Sequence, residues 1–95
     1  LLAGTGNNRE VLRRYLDGQT RQLASRLGGP KTGDLVRLRA WLDAVAERRG
    51  VAEDLRLVPV GNRLNLRETP LSESQAAGAA HTIHAFRKAL IHHDT

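Results

Sequence analysis

The segment HAFRKALIHHD, residues 84–94, holds three of the four histidines in the chain beside an arginine and a lysine. Imidazole can bind a metal or move a proton near neutral pH, so the spacing of these rings decides which chemistry is open. A zinc ion needs three or four ligands within about 2.0–2.2 Å of one point. At about 100° per residue, His81, His84 and His92 fall within a quarter-turn of one another, opposite Ile83, Phe86 and Leu90. His92 nevertheless lies roughly 12 Å farther along the axis than His84. Only His81 and His84 can converge, and the absence of cysteine closes the thiolate route. The pattern predicts no metal site and no cofactor.

Arginine is the other chemistry-bearing residue. Lys and Arg number 15 against 10 Asp and Glu, a net charge of +5, and every basic residue is Arg except Lys31 and Lys88. The planar, permanently charged guanidinium suits phosphate and carboxylate. Nucleic acid is therefore the first expected partner and an acidic protein surface the second. Tyr15, Trp41 and Phe86 are the only aromatics, too few for a base-stacking platform. The GTG at 4–6 is too short for a phosphate loop and precedes no lysine-bearing P-loop. A nucleophilic triad needs a nucleophile, a base and an orienting acid brought together by the fold, and Ser72 and Ser74, with His81 nearby, are better explained by helix capping. A non-enzymatic protein is the expectation.

The elements that must position these residues read as helix, helix, hairpin, helix in one domain spanning 1–95. The first helix covers about 9–27: Asn7 caps it with Glu10 three positions on, and Gly28-Gly29-Pro30 stops it. Leu12, Tyr15, Leu16, Leu23 and Leu27 form its apolar stripe, and Gly18 is a weak point worth about 1 kcal/mol against Ala. The second covers about 34–49, with Thr32 as cap, Asp34 at the positive dipole end, and Leu35, Leu38, Leu42 and Val45 inward. Arg37, Asp43, Glu47 and Arg48 are expected to face outward. A short connection predicts that these two helices pack antiparallel.

Residues 55–68, LRLVPVGNRLNLRE, alternate with a period near 2 and read as a β-hairpin turning at Gly61-Asn62. Leu55, Leu57, Pro59, Leu64 and Leu66 share its inner face. Arg56, Val58, Val60, Arg63, Asn65 and Arg67 share the outer one. Arg56 then opposes Arg67 with Arg63 one step away, a repulsion that an anion relieves, so Arg56, Arg63 and Arg67 are the candidate nucleic-acid or anion-binding residues. The last helix covers about 72–93, opened by a Ser72–Gln75 capping box, with Ala76, Ala79, Ile83, Phe86 and Leu90 inward. The expected fold class is α+β, mostly α: two long antiparallel helices, a β-hairpin and a C-terminal helix around one core.

Two family resemblances attach to particular strings. Arg87 and His92 form R-x-x-x-x-H, and FRKALIHHD resembles the motif of HEPN ribonucleases. That resemblance implies an alternative function, metal-independent RNA cleavage in a toxin or defence system. Arg87 and His92 would be the catalytic pair, meeting across a homodimer. Proton transfer by imidazole and stabilisation of a phosphorane by Arg give it a chemical basis. Lys88 stands where the family has a short polar residue, and the family's helical bundles are commonly longer.

Separately, GDLVRLRAWLDAV, then LRLVPVGNRLNLRE and a closing alanine-rich helix resemble the ABATE-type domain of CGNR transcription regulators over about residues 9–90. This implies a regulatory module. The family's zinc ribbon, its DNA contact, has no counterpart in a chain without cysteine.

The leading expectation is a small basic regulatory module that binds nucleic-acid backbone or an acidic partner. A protein-interaction or self-association domain, including a homodimer, is the second reading. No run of roughly 18 apolar residues is present, which predicts no membrane partner and a soluble, cytoplasmic protein. The Leu-Leu start, without Met, is expected of a trimmed or processed chain.

Overall fold

Leu12, Leu16, Thr20 and Leu23 recur at steps of three and four residues and all four are buried, so one stripe of the first helix must face a core. Thr20 belongs there because its hydroxyl O–H donates to the Leu16 carbonyl oxygen at 2.7 Å. The computed structural model describes residues 8–65 and 71–92, with the backbone alone at Asn8 and His92. Four helices make up the described chain: α1 (Asn8–Arg26), α2 (Leu35–Arg48), α3 (Leu57–Leu64) and α4 (Glu73–His92). No described residue is in a strand.

The ends of three helices follow local sequence signals. Asn7, the expected cap of α1, lies outside the described residues. α1 runs unbroken through Gly18 and stops where Gly28 takes φ +74°, with Gly29 N–H closing on Ala24 O at 2.7 Å. Gly50, at φ +79°, ends α2 in the same way. Asp34, and not Thr32, is the N-cap of α2, accepting from Val36 N at 3.0 Å and Arg37 N at 3.3 Å. Thr32 Oγ1 supports it by accepting from Asp34 N at 3.1 Å. The capping box of α4 closes as expected, Ser72 N to Gln75 Oε1 at 3.0 Å and Gln75 N to Ser72 Oγ at 3.1 Å.

One apolar cluster draws on all four helices, including Leu16 and Leu23, Leu42, Leu57 and Leu64, and Ile83, Phe86 and Leu90. Each side chain buried this completely contributes about 1.5–3 kcal/mol. Polar ties cross the same interfaces. Arg87 donates to Gln19 Oε1 and Gln22 Oε1, holding α4 against α1, and Arg49 donates to Leu90 O near the end of α4.

The expected β-hairpin is absent, and with it the α+β class. Residues 57–64 form the helix α3, and the described chain is all-helical. Gly61-Asn62 lies inside α3 and makes no turn. Val60, expected outward, is buried, while Pro59, expected inward, is exposed. Leu57, Val60, Gly61 and Leu64 are the buried set, the i, i+3, i+4, i+7 row of a helix.

The physical reason lies outside the segment. A lone two-stranded hairpin is marginal in water. α3 instead starts on a borrowed cap: Asp43 of α2 accepts from Leu57 N at 2.8 Å and Val58 N at 2.9 Å. Pro59 follows as the third helical residue, where its missing N–H leaves no donor unpaired.

Candidate functional site

The register that was expected to align Arg56, Arg63 and Arg67 on one face went with the hairpin, since residues 57–64 are helical. Arg56 is the extended residue before α3. Its guanidinium donates to Ala52 O and Leu55 O at 2.8 Å and to Val51 O and Glu47 Oε1 at 3.1 Å. That network fastens the α2–α3 connection. Arg63 stands exposed in the last turn of α3. Arg67 lies outside the described residues.

Asp43, expected to face outward, is part-buried between α2 and α3. Burial pushes its carboxyl above the usual value of 3.8, against the lowering effects of the Leu57 and Val58 N–H groups and of Arg56 and Arg39. Its role is the start of α3.

Most described acids are committed internally. Asp34 and Asp43 cap helices, Asp17 accepts from Arg39 at 3.3 Å, Glu47 from Arg56, and Glu10 lies 3.3 Å from Arg14 and 3.8 Å from Arg13. The cations are distributed differently. Arg21, Arg26, Lys31, Arg37, Arg48, Arg63 and Lys88 are exposed, and no side chain among them has a hydrogen-bond or ion-pair partner among the described residues. Internal neutralisation thus leaves the excess positive charge on the surface.

Part of that charge is concave. Where α1 passes into α2, a cleft of about 490 Å³ is lined by Arg21 and Lys31 with the Ser25 and Thr32 residues, and floored by Ala24 and Leu38. Gly29 closes the back of this turn: a Cβ there would stand 2.9 Å from the Trp41 ring. Two cations beside two hydroxyl-bearing residues can receive the oxygens of a phosphate group.

The terminal helix offers less. His81 and His84 are exposed, and among the described residues no three His, Cys, Asp or Glu side chains gather as metal ligands do. His84, Arg87, Lys88 and Ile91 line a shallow depression. Arg87 is engaged by two glutamines of α1, whereas the side chain of His92 lies outside the described residues.

Two working residues escaped the sequence reading. Asp43 carried no local signal, because the helix it caps begins 14 positions later. Arg39 did carry one. It continues the row Leu35, Leu42, Ala46 on the apolar side of α2, a placement that forces an arginine into the interior, and the residue is 8% exposed. The chain matches no protein-family model, no curated protein and no solved structure.

Proposed function

We propose that this chain is a small basic helical module that holds the phosphate backbone of nucleic acid with exposed arginines and lysines, and performs no chemistry on it. The observation that carries this reading is an imbalance among the described residues: seven exposed cations have no side-chain partner, against three such acids, Glu53, Asp54 and Glu73, the other acids being engaged within the chain. Arg21 and Lys31, which both line the α1–α2 cleft, are the centre of the interface, with Arg63 contributing from α3. Contacts of this type fix a protein on a duplex without reading its sequence. A regulatory module, as the ABATE resemblance implies, would take its sequence preference from another element or partner.

Binding of labelled duplexes of unrelated sequence at roughly 50 mM salt tests the reading. Wild-type protein binds all of them with similar affinity, and Arg21→Ala combined with Lys31→Ala weakens every one alike. Preference for an acidic protein surface over duplex would move the same cations to the other class of partner. Absence of binding to either would remove the reading.

A further inference from the structure

Arg87 is held at one end of its guanidinium and not at the other. Nη1 donates to Gln19 Oε1 at 2.7 Å and to Gln22 Oε1 at 2.6 Å, both on α1. Nε and Nη2 have no partner among the described residues, and neither atom is buried without one, so that edge of the fork meets solvent. The two amide oxygens fix the guanidinium without cancelling its charge, as a glutamate in either place would.

Arg87 shares a depression of about 240 Å³ with His84, Lys88 and Ile91. Lys88 is exposed, and its side chain has no partner among the described residues. Ile91 and the aliphatic stems of Arg87 and Lys88 give the depression an apolar bed. Cations over an apolar bed suit a phosphate with its attached sugar better than a bare anion.

The α1 side of the site links it to the cleft at the other flank of that helix. Arg21 and Gln22 are consecutive, so their side chains leave α1 about 100° apart at nearly the same height. Arg21 lines the α1–α2 cleft, and Gln22 holds Arg87. Gly18 and Ser25 stand between them on the helix surface, small and exposed. Asp17, the nearest acid of α1, is turned to Arg39.

Resting on the nucleic-acid reading above, we propose that Arg87 and Lys88 form a second phosphate contact for the same nucleic acid, whose backbone crosses the low face of α1 between this site and the α1–α2 cleft. The Nε–Nη2 edge takes one phosphate bidentately, Lys88 adds its charge and His84 a ring N–H, and the adjoining sugar lies against Ile91.

Salt titrations of the whole chain with labelled duplex DNA test it. Gln22→Glu keeps the acceptor for Arg87 but cancels its charge, and Lys88→Gln removes an exposed ammonium at little cost to the fold. Each should weaken binding roughly 3- to 10-fold at about 50 mM salt and make the log–log slope shallower by about 0.9, with Tm not lowered. Gln75→Glu makes the same change in net charge roughly 18 Å along α4 from Arg87, keeps its capping box, and should leave the slope in place. A slope left where it was by either Gln22→Glu or Lys88→Gln, or lowered as much by Gln75→Glu, would overturn the site. If Arg21→Ala with Lys31→Ala still lowers the slope in that case, the nucleic-acid reading stands without this second contact, whereas a wild-type slope near zero removes both.

Discussion

Asp43→Ala tests the most non-local feature of the fold. The substitution removes the acceptor of two N–H groups at the start of α3, on Leu57 and Val58. Losing an N-cap costs about 0.5–2 kcal/mol, and the upper part of that range applies because Leu57 is fully buried and water cannot readily replace the carboxylate. Removing a carboxylate that burial disfavours returns some of that loss. The net expectation is a destabilisation of about 1–2 kcal/mol, or about 5–15 °C in Tm for a domain of this size. Asp43→Asn keeps one acceptor and should lose about half as much. Urea denaturation followed by far-ultraviolet circular dichroism measures both. If Asp43→Ala stays within about 0.3 kcal/mol of wild type, α3 does not depend on this cap and the account of residues 57–64 fails.

Other perturbations separate neighbouring causes. Gly18→Ala and Gly78→Ala, at helix positions with open space for a methyl group, should each stabilise the protein by about 0.5–1 kcal/mol in the same denaturation assay. Gly61→Ala, also in a helix, should destabilise by about 1 kcal/mol because Arg39 must move, and a gain there would show that the contact is soft. Arg56→Ala should cost about 2–3 kcal/mol through its lost hydrogen bonds while leaving the salt dependence of nucleic-acid binding unchanged. Because the folded chain holds the Asp43 proton more tightly than the unfolded chain, acidification through the window above 3.8 favours the folded state. The stability advantage of wild type over Asp43→Asn should therefore be larger near about pH 4 than near about pH 7, and a smaller advantage in acid would reverse the sign assigned to this carboxyl.

The long helices were legible because their signals are local. Leu12, Leu16 and Leu23, or Ile83, Phe86 and Leu90, repeat at helical steps, and Gly28, Gly50 and the Ser72–Gln75 pair mark ends within a few residues. α3 was not legible for the opposite reason. Eight residues containing Val58, Pro59, Val60 and Gly61-Asn62 satisfy a period of 2 as readily as a helical one. What selects the helix is a carboxylate of α2 and apolar surface from the other three helices. The surface charge was legible as a total from composition, but its location was not: Arg56 turned out to be a fastening in a loop, while Arg21 and Lys31 line one cleft only because the α1–α2 connection folds back.

The most direct test of the central claim, that the unpaired surface cations grip phosphates, is the slope of log affinity for duplex DNA against log salt concentration. Each phosphate contact contributes about −0.9, so three to four contacts give a slope of about −3 to −4. Arg21→Ala combined with Lys31→Ala should bring it to about −1 to −2, with the fold unchanged by circular dichroism. A slope near zero in wild type, or one that the double substitution leaves where it was, would contradict the account.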